Sequence, residues 1–170
     1  MRSKKIKLGV NLDHIAFIKK SRETMYPNLA DAVKMTEEAG ADSITIHLRE
    51  DRRHIQDKDA IEIRECAKIL NFEMAHTPEM IDFALKLKPN FCCIVPEKRD
   101  EKTTEGGLSL PSTNTREFKN FSDNIKKLSN EGIKVSLFID PSIESVQLSK
   151  ELGADIVELH TGHYANEFNT

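Results

Sequence analysis

Cysteine is scarce in this sequence: Cys66, Cys92 and Cys93 make an odd number without a C-x-x-C spacing. That excludes a disulfide framework and a thiolate zinc site. Cys92 and Cys93 lie in an apolar run, residues 91–95, and read as buried structural thiols on opposite faces of a strand. Long apolar runs are missing too. No stretch approaches the roughly 18 residues that a membrane span needs. The apolar segment behind the basic start Met1-Arg2-Ser3-Lys4-Lys5 is too short for a signal-peptide core, so a soluble, cytoplasmic protein is expected. There is no excess of positive charge: 25 basic residues face 28 acidic ones, a net charge of −3. This argues against nucleic-acid binding through a broad basic surface. Small anionic substrates stay open, because a few local arginines suffice for them. Finally, Gly9 is the lone glycine near the first strand-like run, and no G-x-G-x-x-G follows it, so a dinucleotide-binding reading lacks support.

What is present is a regular alternation. Strand-like runs are expected at residues 6–11, 43–47, 72–75, 91–95, 134–139 and 156–160. Helical patterns fall between them, at about 27–39, 57–70, from Thr77-Pro78-Glu79 onward, 116–131 and 142–152. Thr77 can cap its helix and Pro78 suits the first turn, while Gly40, Gly132 and Gly153 stand where helices stop. Five β-α units plus a sixth strand predict a parallel α/β sheet, either open and doubly wound or closed as a barrel. Two features favour the barrel. The phrases Glu38-Ala39-Gly40-Ala41-Asp42 and Glu151-Leu152-Gly153-Ala154-Asp155 each end a helix and lead into a strand, as quasi-repeated units do. Chemistry-bearing residues also follow every strand instead of gathering at one switch point. The expected fold is a (β/α)8 TIM barrel, of which a single domain over residues 1–170 covers strands one to six. A whole barrel takes about 250 residues, so the chain reads as truncated after strand six.

The strand ends carry the candidate site. Glu73 and Glu158 each interrupt an apolar strand, and a carboxylate facing a barrel interior is costly unless paired, hydrogen-bonded or protonated. A satisfied core carboxylate is the plainer account of either one. Two at matching places favour function, with desolvation raising their pKa values toward neutral pH. His47 ends strand two, and Arg49 follows on the same face by the period of two. Histidine shuttles protons near pH 7 and arginine forks onto phosphate. Arg49 with His54 reads as a phosphate site, whereas at least one of Arg52 and Arg53 reads as solvated loop charge. Arg22 is a weaker candidate in the loop after strand one. His160-x-x-His163 with Asp13-His14 is a loose metal-ligand pattern, and His76 and His163 read as loop histidines.

Several of these segments resemble one family. Gly9-Val10-Asn11-Leu12-Asp13-His14-Ile15-Ala16, the run from Thr45 through His47-Leu48-Arg49 to His54-Ile55, and Phe72-Glu73-Met74-Ala75 are similar to pyridoxine 5'-phosphate synthase. So are Phe91-Cys92-Cys93-Ile94-Val95-Pro96-Glu97-Lys98-Arg99, Thr103-Thr104-Glu105-Gly106-Gly107-Leu108, Val135-Ser136-Leu137-Phe138-Ile139-Asp140 and Glu158-Leu159-His160-Thr161-Gly162. The resemblance implies a TIM-barrel homo-octamer that needs no metal or redox cofactor. It implies condensation of 1-deoxy-D-xylulose 5-phosphate with 3-amino-1-hydroxyacetone 1-phosphate to pyridoxine 5'-phosphate, with release of inorganic phosphate and water. By that resemblance His47 is one general base, Glu73 a second proton-transfer group and Glu158 a stabiliser of charged intermediates. Asn11, Asp13, His14, Arg22, Arg49, His54 and Thr104 fall at substrate- and phosphate-contacting positions. The family's further catalytic histidine and its glycine-lined phosphate site lie past the sixth strand and outside these residues. No turnover is expected of a chain that stops at Thr170, and turnover is expected of a longer one. A metal-dependent barrel hydrolase or aldolase, and a non-catalytic phosphosugar-binding fragment, are the alternatives.

Overall fold

Six strands alternate with helices in the computed structural model, which describes residues 5–97 and 106–168. The strands are β1 (Gly9–Asn11), β2 (Ser43–His47), β3 (Leu70–Met74), β4 (Phe91–Ile94), β5 (Lys134–Ile139) and β6 (Ile156–Leu159). All neighbouring pairs are parallel, and the spatial order is the sequence order, β1-β2-β3-β4-β5-β6. An open doubly wound sheet reverses direction at a switch point. This one never does, and it curls as part of a TIM barrel. Among the described residues β1 pairs with β2 alone and β6 with β5 alone.

Alternation along the strands divides the residues between two sides. Ile44, Ile46, Phe72, Met74, Cys92, Ile94, Val135, Leu137 and Ile139 point to the helical layer and are buried in one apolar cluster. Burial of each large side chain of this kind contributes about 1.5–3 kcal/mol. The intervening positions, Asn11, Thr45, Asn71, Glu73 and Ser136, line the inner cavity, whose volume is about 530 Å³.

Seven helices complete the described chain: α1 (Asp13–Ser21), α2 (Leu29–Glu38), α3 (Asp57–Cys66), α4 (Pro78–Leu87), α5 (Arg116–Asn130), α6 (Ile143–Leu152) and α7 (Gly162–Glu167). Local chemistry sets their ends. Asn28, Thr77, Thr115 and Ser142 each accept a backbone N–H three residues on, and Gly153 closes α6 with φ 96°. Three helices depart from the sequence expectation: α1 and α7 are short and placed where loops were expected, and α3 stops at Cys66, so that Leu70, expected at its end, opens β3 instead. The apolar side of α1 is sparse, with Leu12 and Ala16 as its buried anchors. Tertiary ties complete it: Lys19 Nζ meets Asp59 Oδ1 at 3.0 Å, and Lys20 Nζ donates to the Arg52 carbonyl at 2.8 Å. None of the described helices is long and apolar enough to cross a membrane.

The two repeated phrases have a shared structural reason. Asp42 accepts the Leu8 N–H at 2.9 Å through its side chain and donates its own N–H to the Leu8 carbonyl at 2.7 Å. Asp155 does the same with Val135, at 3.0 and 2.9 Å. Each aspartate pins the entry of one strand to the strand before it, at the end of the barrel opposite the candidate site.

Candidate active site at the C-terminal strand ends

Parallel strands deliver their C-terminal ends to one mouth, so residues far apart in sequence meet there. Asn11 ends β1, and its amide brackets Asp13: Nδ2 donates to Asp13 Oδ2 at 3.0 Å, while Asn11 Oδ1 accepts the Asp13 N–H at 2.8 Å. The other Asp13 oxygen accepts the His47 backbone N–H at 2.8 Å, which joins the ends of β1 and β2. His47 is in register with Glu73 on β3, and Glu73 with Cys93 on β4. Across the lumen, the Cys93 thiol donates to Glu158 Oε2 at 3.5 Å. Cys92 faces the apolar layer, so the paired thiols have unlike surroundings.

Electrostatics single out Glu73. Burial raises its pKa from 4.5 to about 7; His47 pulls it back down, while Glu158 and Asp13 push it further up. Burial, followed by the charges of Glu158 and Glu73, drives the Cys93 thiol far up, so it is neutral here and no thiolate nucleophile.

His47 is buried, and its ring Nε2 lies 2.8 Å from Glu97 Oε1. The second Glu97 oxygen accepts the Glu50 N–H at 3.0 Å. Burial acts upward on the Glu97 carboxyl, but these two hydrogen bonds and the charges of His47 and Arg49 together bring it below the usual range. Glu97 is the functional candidate that sequence reasoning passed over. Its setting, Pro96-Glu97-Lys98-Arg99, looks like a charged loop. Its place directly past a strand end was the available signal.

Arg49 lies beyond the last residue of β2, so the period of two does not extend to it. It is 8% exposed, and its Nε lies 3.7 Å from Asp51 Oδ1. Its charge acts on Glu97 and His54. Burial, above all, lowers the His54 pKa, and its ring packs 5.2 Å from Phe17. Arg52 is bound to Asp57 at the start of α3 and to Glu79 in the first turn of α4, and Arg53 is bound to Asp51 within its own loop. His14 is exposed on the first turn of α1. Arg22 caps the far end of that helix, exposed, roughly 14 Å along the axis from Asp13. Thr104 lies outside the described residues.

Asp13, His47 and Glu73 each bring a ligand-type atom within 4.8 Å of the others, and they are the one such trio among the described residues. His160 and His163 are neighbours at 6.4 Å between ring centroids but do not join them. His76 is half-buried in the loop between β3 and α4, where it stacks on Phe121 at 3.8 Å.

The family model described as "Pyridoxal phosphate biosynthesis protein PdxJ" matches residues 8–170. The chain belongs to that family. It is 49% identical over 162 residues to a pyridoxine 5'-phosphate synthase of Magnetococcus marinus, covering 95% of this chain and 65% of the relative. It is 48% identical over 163 residues to one of Idiomarina loihiensis, covering 95% and 66%. A third, of Prochlorococcus marinus, is 52% identical over 159 residues, covering 93% and 65%. The chain thus spans a little under two thirds of these relatives. Solved structures agree on the fold. One described as native KDPGal superimposes with a TM-score of 0.59 at 13% identity, over 94% of this chain and 62% of that one. A D-psicose 3-epimerase from Clostridium cellulolyticum gives 0.54 at 12% identity, over 91% and 62%. At such low identity these two likenesses speak to the fold alone.

Proposed function

We propose that this chain supplies the acid–base part of the active site of a cytoplasmic pyridoxine 5'-phosphate synthase. The substrates are 1-deoxy-D-xylulose 5-phosphate and 3-amino-1-hydroxyacetone 1-phosphate, and the products pyridoxine 5'-phosphate, phosphate and water. The amine is the substrate's own, so an imine forms without an enzyme lysine. What remains is proton transfer at carbon and oxygen as the ring closes. The observation that carries this reading is Glu73 beside His47 with a pKa of about 7. A group titrating at the working pH both gives and takes protons effectively. In this reading His47 removes a proton, Glu73 relays one, and Glu158 offsets positive charge on intermediates. Arg49 and His54 hold phosphate at the rim, with Asn11, Asp13, His14, Arg22 and Thr104 completing the substrate contacts. Phe17, Ile18, Met25 and Tyr26 are exposed on and beyond α1, an apolar surface suited to the homo-octamer that the resemblance implies.

The test is product formation from the two substrates by the native protein, with phosphate release followed in parallel. Formation without added metal or nucleotide supports the proposal. Substrate binding with no turnover sinks it in favour of a phosphosugar-binding role. Activity lost to a chelator and restored by zinc points instead to the Asp13, His47 and Glu73 trio as a metal centre.

A further inference from the structure

The two nitrogens of the His47 ring have different neighbours, and the difference decides where a proton sits. Nε2 faces Glu97 Oε1 at 2.8 Å, inside a contact where the two side chains are 11% and 6% exposed. An ionised carboxylate only accepts hydrogen bonds. A neutral imidazole beside it must therefore carry its hydrogen on Nε2 and keep its lone pair on Nδ1. Glu97 is itself held, because its second oxygen accepts the Glu50 N–H at 3.0 Å. The backbone that carries the ring is fixed as well, since the His47 backbone N–H donates to Asp13 Oδ1 at 2.8 Å. We infer that Glu97 is a positioning residue that locks His47 in its Nε2–H tautomer and leaves Nδ1 as the basic nitrogen. This rests on the reading of His47 as an acid–base group. The clamp spans the sheet: Glu97 follows β4, His47 ends β2, and β3 with Glu73 lies between them.

A glutamine at position 97 makes the claim sharp. The carboxylate accepts on both oxygens, whereas the amide has one acceptor and one donor. The Glu50 N–H is a backbone donor and cannot change its role. The imidazole can, by moving its hydrogen. In Glu97→Gln the amide oxygen therefore serves Glu50, and the amide NH2 turns to Nε2 and drives His47 to the Nδ1–H form. A side chain that merely filled space would leave the tautomer alone.

The tautomer is read from the carbon-13 shift of His47 Cδ2 in histidine-labelled native protein, assigned by its loss in His47→Gln, at a pH where the ring is neutral. An Nε2–H ring in the wild type that becomes Nδ1–H in Glu97→Gln supports the inference. An Nδ1–H ring in the wild type overturns it before any variant need fold, and an unchanged Nε2–H ring in Glu97→Gln overturns it too. Turnover supplies the second readout: kcat of Glu97→Gln should fall roughly 10²–10⁴-fold, as expected when a catalytic histidine is left in the wrong tautomer, with KM little changed. A raised KM at wild-type kcat overturns the positioning role. Wild-type turnover in His47→Gln removes the acid–base reading of His47 and the Nδ1-base claim with it, while the spectrum still decides the tautomer.

Discussion

His47 and Glu73 stand opposite each other in the parallel register of β2 and β3, and that pairing sets the imidazole where it acts on the Glu73 carboxyl. Burial drives the Glu73 carboxyl up, and the neighbouring imidazole restrains the rise, leaving it at about 7. Neither effect belongs to one strand alone. The barrel supplies the burial, and the register supplies the partner.

Glu73→Gln has two expected outcomes of opposite sign. Turnover falls about 10²–10⁴-fold, because an amide hydrogen-bonds but does not exchange protons near neutral pH. Stability moves the other way. The folded pKa lies above the unfolded one, so the native state keeps a proton that the unfolded chain releases. Stability from this group is therefore full below 4.5 and is lost as pH climbs to about 7. By about pH 8 the loss is on the order of 3 kcal/mol at most, and glutamine avoids it. The variant should melt above the wild type at about pH 8, with the gap narrowing toward the ordinary carboxyl pKa. Melting curves at several pH values check this, and a variant that melts lower at every pH makes Glu73 a structural carboxylate.

Arg49→Ala should weaken the binding of phosphorylated substrates by about 10–100-fold, the loss of one charge-assisted fork. Arg49 is buried, so stability should fall as well. Arg49→Lys separates the two effects: a long cationic chain refills the space and recovers most of the stability, but one ammonium recovers only part of the affinity. Titration calorimetry and melting on the same three proteins give the answer. Unchanged affinity in Arg49→Ala removes the clamp.

How much of this was legible in the sequence differs by element. Strands β2 and β5 fall at their expected bounds because β-branched and apolar residues alternate there and a glycine or aspartate punctuates each entry. The barrel order was legible from the repeated Gly-Ala-Asp phrases, and the reason is now physical, since Asp42 and Asp155 make the same two-bond pin. Helix α1 was not legible: its partners, Asp59 and the carbonyl of Arg52, lie about 40 and 32 residues away. Glu97 was missed for a like reason. Its role is set by His47, and a pair separated by 50 positions leaves no local pattern.

The strand pins should behave as independent units. Asp42→Ala and Asp155→Ala each remove a side-chain acceptor of a strand-entry N–H, at a cost of about 1–2 kcal/mol. The two sit at β2 and β6, on separate parts of the sheet, so the double variant should equal the sum within about 0.5 kcal/mol. Both lie at the end opposite the mouth, so KM and kcat should hold at temperatures where the variants stay folded. Denaturant midpoints and steady-state rates check the pair, and a strongly non-additive double variant would mean that the two ends share one cooperative contact.

Gly107→Ala tests how the segment after β4 is seated on the mouth. The Gly107 N–H donates to Asp140 Oδ1 at 2.9 Å, and the Leu108 N–H donates to the Phe138 carbonyl at 2.8 Å. A Cβ at position 107 would stand 2.1 Å from the Asp140 nitrogen and 2.5 Å from the Ile139 carbonyl carbon. Those are backbone atoms at the end of β5, so they cannot swing aside as a flexible side chain would. The segment must lift, and both hydrogen bonds weaken with it. The expected cost is about 1–3 kcal/mol, or a drop of roughly 3–10 °C in Tm for a chain of this size. Gly106 is the built-in control. A Cβ there meets nothing within 4 Å, so Gly106→Ala should leave Tm nearly unchanged. Hydrogen exchange at the Leu108 amide adds a local readout, faster in Gly107→Ala and unchanged in Gly106→Ala. Equal melting and equal exchange in the two variants would show that this close approach carries no weight in seating the segment.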